Sequence, residues 1–170
     1  IVSAVDAGLG AGIVVDGGGT VYVPIRFGNL RIEPELSFYR SKNDTTSTAP
    51  INTVEYETKS ISLGSGVYLR QPIGSSLETY VGGRVGYYKS DSSRTYPNSP
   101  SSNYSSDTSG FYVGPTIGAE YFFNKQFSIG LDVSVLYRPG TTDSTYGTIT
   151  NKTDMTDLLT ETRTALRFYY

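Results

Sequence analysis

The sequence predicts an all-β chain: a closed, eight-stranded antiparallel up-and-down barrel that crosses a membrane by its strands. Three observations carry this. Apolar and polar residues alternate with period two in eight successive segments, the mark of strands with one apolar and one polar face. The connections between segments alternate in kind, so that tight turns gather at one end. The charges on the polar faces balance, and their cations are all arginine. Composition agrees: 15 Tyr and 19 Gly in 170 residues, with few helix formers and plentiful β-formers. At this length the chain is read as one domain, residues 1–170.

The first segment runs from about Val5 to Val15, with Ala7, Leu9, Ala11, Ile13 and Val15 opposite Asp6, Gly8, Gly10 and Gly12. The second sets Val21, Val23, Ile25 and Phe27 against Tyr22, Pro24 and Arg26, and the third sets Leu30, Ile32, Leu36 and Phe38 against Arg31, Glu33, Glu35 and Ser37. In the fourth, Ile61, Leu63, Val67 and Leu69 oppose Ser62, Gly64, Gly66, Tyr68 and Arg70. The fifth places Leu77, Val81, Val85 and Tyr87 against Glu78, Tyr80, Gly82, Arg84 and Gly86. The sixth places Phe111, Val113, Ile117, Ala119, Tyr121 and Phe123 against Tyr112, Gly114, Thr116, Gly118 and Glu120. In the seventh, Phe127, Ile129, Leu131, Val133, Val135 and Tyr137 oppose Ser128, Gly130, Asp132, Ser134 and Arg138. The eighth ends the chain, with Leu166, Phe168 and Tyr170 opposite Glu161, Arg163, Ala165 and Arg167. Closure requires Val5–Val15 to pair with Thr160–Tyr170.

Gly28-Asn29 reads as a type II′ hairpin turn, and 71–76 and 124–126 are also short. Segments 41–53, 90–109 and 139–157 are rich in Ser, Thr, Asn and Asp and read as long loops; Asp16-Gly17-Gly18-Gly19 is brief. In an up-and-down meander alternate connections share an end, so the tight turns fall at one end and the long loops at the other. Pro24, Pro34 and Pro115 each remove a ladder hydrogen bond, and bulges are expected beside them.

Alternation alone leaves two barrels open, one with the apolar face lining a soluble cavity and one with that face in lipid. The polar face decides. Its charges are Asp6, Arg26, Arg31, Glu33, Glu35, Arg70, Glu78, Arg84, Glu120, Asp132, Arg138, Glu161, Arg163 and Arg167: seven acids, seven arginines and no lysine. A solvated face uses lysine freely, because exposed pairs contribute little. Balance struck with arginine alone points to enclosed, bidentate pairs in a lumen. The interior of an eight-stranded barrel is just wide enough for side chains to fill, and the interior glycines make room beside arginine and tyrosine. Aromatic residues of the apolar face band at both strand ends, as at two membrane interfaces: Phe27, Tyr121, Phe123, Phe127, Phe168 and Tyr170 at one, Phe38, Tyr87, Phe111 and Tyr137 at the other. The chain begins at Ile1 rather than Met and is read as a form from which a leader has been removed.

The terminal Ala165-Leu166-Arg167-Phe168-Tyr169-Tyr170, with the whole-chain pattern, resembles the small outer-membrane barrels of the outer-membrane protein A, X and W type. That family ends in an aromatic residue preceded by alternating apolar ones, here Leu166, Phe168 and Tyr170, although Phe is its usual last residue. The resemblance implies a Gram-negative outer membrane and recognition of this terminal signal by the barrel-assembly machinery. It also implies periplasmic turns and termini, extracellular loops, and contact with lipid and lipopolysaccharide. It implies no particular ligand.

The inventory of reactive groups is thin. Without histidine or cysteine there is no imidazole base, thiol nucleophile or zinc site, and membrane hydrolases and acyltransferases that depend on histidine are excluded. No cofactor is expected, and net charge −2 gives no basic surface for nucleic acid. Glu33 and Glu35, two apart on one strand among arginines, read as structural rather than as an acid–base pair. The alternating Gly8–Gly12 series lacks the following helix of a phosphate loop. The Asn43, Asn103 and Asn151 sequons and the acids Asp143, Asp154 and Asp157 read as solvated loop chemistry. Tyr96, Tyr104 and Tyr146, set among Ser, Asn and Gly, are the candidate contacts for a protein partner. The expected function is a non-enzymatic scaffold whose loops meet a surface or partner. The alternative is a narrow channel or carrier of small hydrophobic solutes, with a carboxylate-only enzyme remote.

Overall fold

The computed structural model describes residues 7–15, 19–48, 51–97, 99 and 102–170. The strands are β1 (Ala7–Val14), β2 (Gly19–Tyr22), β3 (Ile25–Phe27), β4 (Leu30–Thr48), β5 (Ile51–Ile73), β6 (Leu77–Thr95), β7 (Tyr104–Phe122), β8 (Phe127–Tyr146) and β9 (Ile149–Tyr169). Each pairs antiparallel with its neighbour, and β1 returns to pair with β9, Gly10 opposite Tyr169 and Val14 opposite Ala165. Flanking bonds lengthen that seam: the N–H of Tyr170 donates to Leu9 O at 2.9 Å and that of Val15 to Thr164 O at 2.8 Å. β2 and β3 are one stave interrupted at Val23-Pro24, so the segments make the eight staves expected from the alternation.

The prolines introduce no bulge, which corrects the expectation. Gly12 faces Tyr22 before the Pro24 break and Leu9 faces Ile25 after it, on one register; β4 likewise meets β2 and β3 without a slip. Pro34 stands opposite Ser65 and Pro115 opposite Gly83 inside unbroken registers. At the gap the neighbours bond directly to proline carbonyls, Gly10 N–H to Pro24 O at 2.9 Å and Val23 N–H to Pro34 O at 3.0 Å. A proline lacks a donor but keeps its acceptor.

The second correction concerns the segments read as long loops. Residues 41–53 and 139–157 lie largely inside β4–β5 and β8–β9, whose ladders run to Thr48↔Ile51 and Tyr146↔Ile149; within 90–109 the ladder reaches Arg94↔Tyr104. Threonine is a good strand former, and facing hydroxyls bond across strands, Thr108 to Thr142 at 2.9 Å and Thr145 to Thr150 at 3.0 Å. A membrane needs only about 9–11 residues per tilted strand. β4 to β9 are roughly twice that, so their upper halves project as a sheet beyond the girdle. Gly28, at φ 54°, precedes an Asn29 that is not left-handed, as a type II′ turn requires, and Gly147 (φ 59°) closes the β8–β9 hairpin.

The apolar face looks outward. Leu9, Leu63, Val81, Ile117 and Leu131 are exposed, while Ile25 and Leu166 on the same wall are half-covered by neighbours. The two aromatic bands pack edge-on or stacked: Tyr87 on Phe111 and Phe168 on Tyr170, each at 5.4 Å, and Phe123 on Phe127 at 5.4 Å. The interior is polar, which rules out a soluble barrel with an apolar cavity.

Candidate functional site

Strand alternation aims the polar set into the lumen, and there the structure gathers it into a connected layer. Near the tight-turn end Arg31 lies between Glu33, Glu78 and Glu120, with a direct contact to Glu120. Arg167 bridges Glu33 at 3.0 Å and Glu120 at 3.5 Å, Arg26 reaches Glu120 at 3.3 Å, and Arg70 holds Glu78 side-on at 2.8 and 2.7 Å. One layer toward the long-hairpin end, Arg84 joins Glu35 at 2.8 Å and Glu161 at 2.7 Å, and Arg163 joins Glu35 at 2.8 Å and Asp132 at 3.0 Å. Six arginines and six acids are thus paired. Arg31, Arg167, Glu120 and Asp132 are at most 1% exposed, so the centre of the layer is closed to bulk solvent, while Glu161 at its edge is part-exposed.

Tyrosine completes the network, a role that composition alone did not assign to it. Tyr112 donates to Glu35 at 2.6 Å, Tyr169 to Glu120 at 2.8 Å and Tyr80 to Asp132 at 3.2 Å; Ser128 also donates to Glu120. Guanidinium planes lie over rings, Arg26 over Tyr169 at 3.6 Å and Arg31 over Tyr80 at 4.1 Å. Several glycines leave the space: a Cβ on Gly12, Gly66, Gly86 or Gly118 would run into Tyr22, Tyr68, Tyr112 or Tyr80. These tyrosines share the parity of the charges along each strand, which is the signal that identifies them.

Two of the expected lumen charges stand apart. Asp6 lies outside the described residues. Arg138 is half-buried and makes no ion pair among the described residues; it lies over the Tyr88 ring at 4.2 Å although Asp157 is its cross-strand partner. The expectation that each guanidinium touches a carboxylate therefore fails at Arg138. Its level of the lumen is lined instead by Tyr88, Tyr112, Leu136 and the half-buried Leu159. Leu136 and Leu159 were missed because their strands otherwise turn polar residues inward. A vestibule of about 390 Å³ opens here, and another of about 390 Å³ opens at the tight-turn end, floored by Arg26, Glu78 and Tyr169. The ion-paired layer separates them.

The candidate contact residues lie at the tips of the projecting sheet. Tyr104 and Tyr146 are direct cross-strand partners, and Tyr56, Arg94, Tyr104 and Tyr146 form one row across β5, β6, β7 and β8. Arg94 stacks on Tyr56 and on Tyr96, 5.0 Å from each ring. The Tyr104 hydroxyl lies 3.2 Å from that of Ser144, and hydrogen bonds with Ser144 and Ser106 draw its pKa below the usual phenol value. On the outer face of these strands, hydrogen bonds from Lys59 and Arg40 hold the Glu57 carboxyl below the ordinary carboxylate range. Asp143, Asp154 and Asp157 do not gather: Asp143 faces Lys152, Asp154 accepts from Thr141 at 3.2 Å, and Asp157 faces Arg138. Leu166, Phe168 and Tyr170 alternate along the outward face of the last strand, Phe168 and Tyr170 exposed.

Known proteins share this architecture. A family model described as the outer membrane protein beta-barrel domain matches residues 3–156. Among solved structures the chain is similar to a major outer membrane protein from Thermus thermophilus, at 13% identity and a TM-score of 0.61, covering 96% of this chain and 98% of that one. It is also similar to CarO from Acinetobacter baumannii, at 10% identity and a TM-score of 0.49 over 98% of each chain. No curated protein sequence matches it. Such identities speak to fold alone. With most of its length matched by the family model and its apolar wall turned outward, the chain belongs to the outer-membrane β-barrel domain family and resides in a bacterial outer membrane.

Proposed function

We propose that this barrel is a non-enzymatic, non-conducting membrane anchor that holds a stiff β-sheet out from the cell surface for contact with a partner. The observation that carries this is the buried ion-paired layer between the two vestibules, with Arg31, Glu120, Arg167 and Asp132 filling the bore. A channel needs a wetted path, and a guanidinium held by two carboxylates is not readily displaced. Catalysis is disfavoured for a related reason. Glu33 and Glu35 are buried and engaged by Arg31, Arg167, Arg84 and Arg163, which leaves neither free to carry a proton to solvent.

In this reading both termini and the tight turns face the periplasm, and the projecting hairpins stand outside. The outward Leu166, Phe168 and Tyr170 serve as the assembly signal read by the barrel-assembly machinery. The aromatic girdles rest against outer-membrane lipid and lipopolysaccharide, and the tip row around Arg94 is the contact surface for a partner. Liposome swelling tests the closed lumen: vesicles carrying the purified barrel should stay unswollen in isotonic small sugars and amino acids. Swelling at rates above those of empty vesicles would remove the anchor reading in favour of a channel.

A further inference from the structure

On the projecting strands the two sheet faces differ in kind. The outer face carries the charges, with Arg40 on Glu57, Lys42 on Glu55 and Lys89 on Asp107. The inner face carries none over two successive cross-strand rows. Across β6, β7 and β8 these rows read Ser92, Ser106, Ser144 and Ser90, Thr108, Thr142, and β5 and β9 extend both with Ser, Thr or Asn. The aromatic row borders them on the tip side, and Arg94 occupies Tyr56 and Tyr96, so the open rings of that row are Tyr104 and Tyr146; the exposed Tyr39 on β4 ends the second hydroxyl row. The trough is also open along one side. β1 stops at Val14 and β2 begins at Gly19, so above these levels β4 and β9 have, among the described residues, a ladder partner on one side only. A chain-like ligand can therefore lie across the strands without threading.

We infer that this trough binds a neutral oligosaccharide. A serine or threonine hydroxyl both donates and accepts, as a sugar hydroxyl does, and a row of them offers a matching surface without selecting an ion. Tyrosine rings present flat apolar faces to the C–H side of a sugar ring and add a hydroxyl at the edge. Six strands at about 4.8 Å spacing give a trough roughly 24 Å across, wide enough for several sugar units. The inference rests on the reading that this sheet is the contact surface. The sugar could belong to lipopolysaccharide of the surrounding leaflet or to a foreign glycan; the recognising chemistry is the same.

The test uses the full barrel in lipid nanodiscs, applied to an array of neutral, acidic and sulfated oligosaccharides together with purified lipopolysaccharide polysaccharides. Neutral glycans should bind, and binding should fall at least tenfold in Tyr104→Ala/Tyr146→Ala and in Thr108→Val/Thr142→Val. The valine pair keeps strand propensity and shape, and both variants should unfold at the wild-type temperature because they lie outside the membrane. Binding confined to the polysaccharides marks the cell's own leaflet as the source, and binding to unrelated neutral glycans marks a foreign one. No neutral glycan bound, a preference for sulfated ones lost in Arg94→Gln, or unchanged binding in both double variants overturns the inference. Because the array reads binding alone, a barrel that swells liposomes yet binds neutral glycans contradicts the closed lumen and leaves this site standing.

Discussion

Asp132 and Arg163 are direct cross-strand partners on β8 and β9, and the guanidinium holds the carboxylate side-on, Nε to Oδ1 at 3.0 Å and Nη2 to Oδ2 at 3.2 Å. Both are buried, so removing one leaves the other charged and without water. Arg163→Ala should destabilise the barrel by roughly 3–5 kcal/mol, whereas Arg163→Leu with Asp132→Leu should cost less, since the buried pair is removed together and Glu35, which loses Arg163, keeps Arg84 and Tyr112. Urea unfolding in lipid vesicles measures both. A single-variant loss of only a few tenths of a kcal/mol would mean that the pair is wet.

Glycine at 118 sets the position of Tyr80. A Cβ there would stand 2.5 Å from a ring carbon of a tyrosine that is 2% exposed and packed edge-on against Tyr68 at 5.3 Å. Gly118→Ala should cost about 1–3 kcal/mol by overpacking. Gly8→Ala, where a Cβ meets nothing within 4 Å, should change stability by less than about 0.5 kcal/mol. Equal effects in the same unfolding assay would show that interior volume is not what these glycines provide.

Leu131 tests the outer wall. It is 53% exposed midway along the apolar part of β8, opposite Thr164. Leu131→Arg should destabilise the vesicle-inserted barrel by about 2–4 kcal/mol, the cost of a cation near the bilayer midplane, while Ser105→Arg, exposed on the same outer face in the projecting part, should be near neutral. Similar values for the two would place this wall in water.

On the projecting β4–β5 hairpin, Glu57 accepts hydrogen bonds from Lys59 and Arg40, and its pKa is lowered. A carboxyl lowered by folding stabilises above its unfolded pKa, and that contribution disappears as pH falls through the folded value. Carbon-detected NMR titration should show Glu57 protonating at lower pH than a free glutamate. Lys59→Gln with Arg40→Gln should return it toward about 4.3. An unchanged midpoint in the double variant would contradict the assigned cause.

The stave count, the inward and outward faces and twelve of the fourteen charges expected in the lumen were legible in the sequence, because a wall with lipid on one side and a packed polar lumen on the other forces strict alternation. Arg138 sits over Tyr88 instead of a carboxylate, and Asp6 lies outside the described residues. What escaped was whatever obeys a weaker contrast. Beyond Phe38 or Tyr137 both faces of each strand are polar, so Ser106, Thr108 and Thr142 read as loop although they lie in ladders. The alternation persists there as charge outside and hydroxyl inside, with Lys89 and Asp107 on one face and Ser90 and Thr108 on the other, a signal that hydrophobicity does not register. Pro24 misled in the other direction, since its carbonyl stays in use and the register runs through the break. Pairing identities, such as Arg163 with both Glu35 and Asp132, depend on stagger around the ring and are not encoded in any one strand.

The closed lumen is tested most directly by planar-bilayer recording of the purified, folded barrel in neutral buffer. A bore filled by Arg31, Glu120, Arg167 and Asp132 predicts a flat baseline without discrete current steps under applied voltage. Reproducible unitary steps that vanish on heat denaturation of the same preparation would establish a conducting path and contradict the anchor.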